Sequence, residues 1–198
     1  IKEINLPDSI TKLGARVFSG CNSLESIVIP DSVINIGIGT FSECKNLKSV
    51  TLSRGLEKIG ENAFYNCDSL QSIEIPKSLE DVYATYDSID IPNGVFNGCS
   101  NLKTVKFEEG STIIADALFR GCDGLEKVTI PDTITEIYGY VFADCKNLKN
   151  INISDSVTVI GESVFEGDTS IKEINLPDSI TKLGARVFSG CNGLESIV

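Results

Sequence analysis

A phenylalanine and a cysteine three residues apart return at a fixed interval: Phe18/Cys21, Phe41/Cys44, Phe64/Cys67, Phe96/Cys99, Phe119/Cys122, Phe142/Cys145 and Phe188/Cys191. The phenylalanines of this pattern, all but Phe107, follow one another every 23 residues, except from Phe64 to Phe96, where 32 residues include a 9-residue insertion. One further unit keeps Phe165 but has Asp168 where the cysteine belongs. A chain that repeats in this way does not gather its apolar residues around one centre. Each unit buries its own set against the next, and the product is a stack of coils.

Counted from its first leucine, a unit reads Leu24-Glu-Ser-Ile27-Val-Ile29-Pro30-Asp-Ser-Val33-x-x-Ile36-Gly37-x-x-x-Phe41-x-x-Cys44, and positions 1, 4, 6, 10, 13, 17, 18 and 21 are mostly apolar. Positions 4 and 6 alternate with polar residues at 3 and 5, the period of a half-buried strand. Stacked coils must align these strands in one parallel sheet. Its inward side chains are Ile4/Leu6, Ile27/Ile29, Val50/Leu52, Ile73/Ile75, Val105/Phe107, Val128/Ile130, Ile151/Ile153 and Ile174/Leu176. Proline at Pro7, Pro30, Pro76, Pro131 and Pro177 ends the strand because it cannot donate to the ladder, and the Asp-Ser or Asp-Thr pair after it suits a tight turn. Glycine at position 14, and Gly, Asn or Asp at position 20, read as backbone sites with φ above zero. The segment between them is too short for a long helix and reads as a helical or 3₁₀ turn. A period of 20 to 29 residues with one strand per unit is the mark of a leucine-rich solenoid. The expected fold is an α/β-type solenoid, a right-handed leucine-rich repeat coil with one short parallel strand per repeat on the concave face and short helical or 3₁₀ turns on the convex face. Residues 1–198 form a single domain of eight repeats plus a partial ninth strand, with the insertion within 83–94.

The Ile-x-Ile-Pro strand end, the Ile-Gly step and the closing motif Val17-Phe18-Ser-Gly-Cys21-Asn-Ser-Leu24 resemble the BspA-like (Treponema pallidum subfamily) leucine-rich repeat proteins over the whole chain. The resemblance implies a cell-surface or secreted protein, often concerned with adhesion to an extracellular protein or glycan, and it brings no fixed binding residues. Departures are Asp168, the insertion after Val82, Gly55 and Gly110 at the usual Ser/Thr turn position, and Ser111 at an apolar position.

With 28 acidic against 17 basic residues the net charge is −11, which repels nucleic acid and anionic bilayers. No run approaches the ~18–20 apolar residues of a spanning helix, so direct membrane insertion is not expected. The chain opens on Ile1 and contains no methionine, which reads as a segment of a longer repeat protein. A line of thiols at strand spacing offers at most two close ligands to one ion, whereas zinc wants four. Disulfides fit the spacing better, yet side chains pointing the same way disfavour them. A ladder of free, buried thiols acting as small apolar fillers is the favoured reading, and Asp168 then needs a partner or an outward turn. With no histidine, no phosphate loop and no nucleophile beside a base, no catalytic residue and no cofactor is expected. The aspartates Asp8, Asp31, Asp132, Asp155 and Asp178 recur with the repeat, as turn capping requires; calcium along that column is the alternative.

Binding is expected on the outward rows at positions 3 and 5, chiefly Ser72, Glu74, Thr104, Lys106, Lys127 and Thr129, a polar stretch holding the one basic spot of the face. A second candidate is an aromatic patch. Tyr83 and Tyr86 fall in the inserted stretch, and the expectation is that the loop folds back over the fifth unit towards Tyr138 and Tyr140. Two functions remain open, a surface recognition module and a spacer or display array without its own ligand. Residues 1–28 and 171–198 are identical except for Ser23 against Gly193, which points to a duplicated 170-residue block and to a further copy in the parent protein. Uncapped terminal coils are expected to favour end-to-end self-association.

Overall fold

The structure, a computed structural model, describes residues 2–84 and 92–198. Sixteen short strands run in two columns. One comprises β1 (Lys12–Leu13), β3 (Asn35–Ile36), β5 (Lys58–Gly60), β7 (Asp81–Tyr83), β9 (Ile113–Ile114), β11 (Glu136–Ile137), β13 (Val159–Ile160) and β15 (Lys182–Leu183). The other comprises β2 (Ser26–Val28), β4 (Ser49–Thr51), β6 (Ser72–Ile75), β8 (Thr104–Phe107), β10 (Lys127–Thr129), β12 (Asn150–Asn152), β14 (Glu173–Ile174) and β16 (Ser196–Ile197). The expected strand at position 4 is therefore present from the second coil onward, but in pairs (β2–β4, β6–β8, β10–β12 and β14–β16) and not as the one continuous sheet expected. The first column was not foreseen: positions 12 and 13 form a further parallel ladder, four strands long on each side of the insertion.

The convex segments are not helical. No helix of any type occurs among the described residues, which corrects the expected helical or 3₁₀ turns. A 3₁₀ helix needs consecutive bonds three residues apart, and here every second N–H leaves the coil instead. Gly39, Phe41 and Glu43 donate to Glu61, Ala63 and Tyr65 of the next coil, at 3.1, 2.8 and 2.7 Å. The residues that follow each of them, Thr40, Ser42 and Cys44, close local turns onto Gly37, Gly39 and Phe41. Alternation of this kind satisfies the backbone in two directions at once.

Glycine placement needs a matching correction. Position 20 has φ above zero in every coil, from Gly20 (71°) to Gly190 (73°), with Glu43, Asn66 and Asp144 in the same conformation. Position 14 does not, and its glycine answers to crowding. A Cβ on Gly37 would stand 2.5 Å from the backbone of Gly14 and Ala15 one coil earlier. The second left-handed site is position 16, occupied by Arg16, Asn62, Ala117, Tyr140, Ser163 and Arg186 as well as Gly39.

Inside, two ladders run the length of the stack. Eight phenylalanine rings lie face over face, with consecutive centroids 5.2 to 5.9 Å apart, and the step across the insertion, Phe64 to Phe96, is an ordinary 5.4 Å. Phe107 meets Phe119 edge-on at 6.3 Å. The cysteines are free thiols. Cys44, Cys67, Cys99, Cys145 and Cys191 each donate to the carbonyl of the phenylalanine one coil back, at 3.0 to 3.3 Å. Burial pushes Cys44 up to about 11 and Cys122 to about 12, which leaves these thiols protonated and unreactive near neutrality. Asp168 has neither a partner nor an outward turn: its side chain is fully buried, and both oxygens lack a hydrogen bond among the described residues. Burial raises its carboxyl to about 9.

Candidate functional site

Outward side chains of the β2-to-β16 column form one polar face. Ser72, Glu74, Thr104, Lys106, Lys127 and Thr129 are all exposed there. Ser72 stands opposite Thr104 and Glu74 opposite Lys106 in the β6–β8 register, with Lys127 and Thr129 on β10 of the next coil. Pairing joins the first four, and Lys127 and Thr129 follow on the next coil, where β10 pairs forward with β12. Beside it, at position 2, a column of alternating charge closes ion pairs between coils: Lys48 with Glu25 at 2.7 Å, and Glu126 with Lys103 at 2.6 Å and Lys149 at 3.8 Å.

Among the described tyrosines, Tyr83 stands apart from Tyr138 and Tyr140. The Tyr83 hydroxyl donates towards Asn35 Oδ1 at 2.9 Å and lies 3.2 Å from the Ile36 carbonyl, so its ring reaches back to the second coil and away from the sixth. That corrects the expected approach of Tyr83 to Tyr138 and Tyr140, both half-buried on the sixth coil; the rest of the expected fold-over, with Tyr86, lies outside the described residues. The link that does exist is made by Arg120. Its guanidinium donates to the Pro92 carbonyl at 3.2 Å and sits 5.8 Å from the centre of the Tyr140 ring.

Sequence reasoning missed a hollow of about 460 Å³ on the sheet face, lined by Val28, Pro30, Asp31, Leu52, Arg54, Glu74, Pro76 and Glu108 among others. Regular strand ends frame it at Pro30 and Pro76. Between and beyond them the proline is replaced by Ser53 and Glu108. Ser53 is buried and its hydroxyl accepts from the Gly55 N–H at 3.1 Å, which turns the chain inward where a proline ring would stand. The signal was present as Gly55 and Gly110, departures whose effect on the opposite wall only the stacking reveals. The repeated aspartates act between coils: Asp31 accepts from the Arg54 N–H at 3.0 Å, and Asp132 from the Ser154 hydroxyl at 2.7 Å. Among the described residues no three acidic or cysteine side chains gather as ligands of one ion.

The sequence pattern described as BspA type leucine rich repeat region matches residues 1–86 and 78–195, in six copies. Among solved structures, a leucine-rich repeat protein from Bacteroides ovatus shares 31% identity at a TM-score of 0.61, over 95% of this chain and 52% of its own. The leucine-rich repeat protein of T. pallidum shares 26% at a TM-score of 0.61, over 96% of this chain and 76% of its own. The pneumococcal vaccine antigen PcpA, 24% identical with a TM-score of 0.50 over 95% of this chain and 53% of its own, shares the fold. The chain thus spans about half the length of the Bacteroides ovatus protein. No curated protein matches it.

Proposed function

The chain belongs to the BspA-type leucine-rich repeat family, and from that premise we propose that it is a non-enzymatic recognition module of a cell-surface or secreted protein, holding an extracellular protein or glycan against its sheet face. The observation that carries the reading is the hollow of about 460 Å³ set into that face beside the contiguous row from Ser72 to Thr129. A spacer needs regular coils and no concavity, whereas a recognition surface needs a place where a partner's side chain leaves water. Tyr83, Tyr138 and Tyr140 contribute less, being half-buried and divided between coils. Surface location rests on the family resemblance.

The test is a screen of extracellular-matrix proteins and glycans against the chain, repeated with Thr51→Trp and Thr104→Trp, which crowd the face from exposed strand positions. Binding that both substitutions abolish supports the reading. Binding indifferent to both, or no binding in the whole screen, returns the chain to a spacer or display array.

A further inference from the structure

We propose that the hollow on the sheet face seats a lysine or arginine side chain carried by an extended segment of a partner protein. The inference rests on the sheet-face reading and gives it a chemistry. Around the hollow stand three carboxylates, Asp31, Glu74 and Glu108, against one guanidinium, Arg54. Arg54 and Asp31 engage each other, Nε to Oδ2 at 3.4 Å. The Glu108 carboxylate accepts from a neutral donor, the Lys77 N–H at 3.0 Å, and among the described residues it forms no ion pair. Glu74 is exposed and forms no ion pair among the described residues. Among the described residues neither carboxylate is closed into an ion pair, although Lys106 stands opposite Glu74 on the neighbouring strand.

The walls are apolar where the charges are not. Val28, 66% exposed, stands with Leu52, Pro30 and Pro76 around the hollow. A long basic side chain matches both halves, its methylene stem lying on apolar surface while its head stays polar. Lining residues come from four successive coils, and at the ~4.8 Å spacing of strands the hollow extends roughly 14 Å along the stack, the reach of about four extended residues. A glycan is a poorer fit. The outward residues at positions 3 and 5 include no aromatic ring on which a sugar could stack, and a sulfated chain would meet the carboxylates with like charge.

A display library of random octapeptides, selected on this chain, tests the proposal. Recovered peptides should carry lysine or arginine at one fixed place, and their affinity should fall as salt is raised. Replacing that residue by norleucine, or the protein's Glu74 and Glu108 by glutamine together, should weaken binding about fivefold to tenfold. Lys182→Ala, on β15 of the other strand column, should leave it unchanged. Val28→Lys, which supplies a cation from an exposed position of the same molecule, should abolish it with the thermal midpoint kept. Peptides without a basic residue, indifference to the two glutamines, or stronger binding of heparin than of any basic peptide would each overturn the proposal. Loss of the peptides on Thr51→Trp alone, with the glutamine variant unaffected, would leave the sheet face as the binding surface and remove only the basic pocket.

Discussion

Residues 2–22 and 172–192 have the same sequence and occupy the first and the eighth coils. Their backbones agree: Lys12–Leu13 and Lys182–Leu183 are both strands, and φ is 56° and 57° at Arg16 and Arg186. Their burial does not. Leu13 is 4% exposed and Leu183 46%, whereas Val17 is 53% exposed and Val187 3%. Among the described residues the first coil is packed only against the coil after it and the eighth chiefly against the coil before it, so position 13 is covered by the following coil and position 17 by the preceding one. Conformation here is written in the repeat, while hydrophobic stabilisation belongs to pairs of coils.

The strongest way to break that view is to compare a coil with two neighbours and a coil with one. Phe119 lies between Phe96 and Phe142, at 5.7 and 5.8 Å, with Phe107 at its edge, whereas Phe18 touches Phe41 alone. Phe119→Ala should cost about 3–5 kcal/mol and Phe18→Ala about half of that in urea unfolding. Equal losses would mean that the rings stabilise their own coils. Next, Leu13→Ala should cost about 2–4 kcal/mol and Leu183→Ala less than about 1, from identical local sequence. A reversed order would refute the assignment of position 13 to the following coil.

Asp168 sharpens the comparison because it stands before the eighth coil, where the first coil is followed by Cys44. Asp168→Cys should stabilise the chain by about 1–3 kcal/mol at pH 7, since a thiol can donate to the carbonyl that the other cysteines use. The pH dependence has a definite sign. The folded carboxyl, raised to about 9, keeps its proton while the unfolded one releases it near ~3.9. This proton-linked stability is whole below pH ~4 and is lost as pH rises towards 9, so the advantage of the cysteine variant should widen between pH 5 and pH 8 by up to about 1.4 kcal/mol per unit. A constant advantage across that range in chemical denaturation would show that the carboxylate finds a partner. The smallest effect belongs to the surface column: Lys48→Ala should cost less than about 0.5 kcal/mol, and nothing measurable in 1 M salt. The pair Lys172 with Glu195, 3.5 Å apart on the last coils, should behave alike.

What could be read from the letters was whatever repeats with a side-chain signature. The phenylalanine and cysteine ladders and the strand at positions 4 and 6 were legible because eight copies keep the phenylalanine and the strand pattern, and seven keep the cysteine. The second strand column was not, because two-residue strands such as Asn35–Ile36 are too short to show a period. Helical turns were expected because turn chemistry is local, whereas the N–H groups of Gly39, Phe41 and Glu43 are taken by carbonyls one coil later. Position 16 stayed hidden behind Arg16 and Tyr140, which advertise no left-handed backbone. Of the candidate site, the outward row followed from alternation alone. The hollow did not, since Ser53 and Glu108 act on residues one or two coils away.

The insertion also gives the stack a distinct response to force. Pulled from its two ends, a chain of coils peels one turn at a time, and an ordinary 23-residue coil releases about 80 Å of slack. The fourth coil, with 32 residues, releases roughly 110 Å. It is also the coil whose Tyr83 hydroxyl clasps Asn35 two turns earlier, so its release breaks a bond that no adjacent pair of coils shares. On a tethered protein under flow that coil would act as a marked link, longer in travel than its neighbours and latched across one of them.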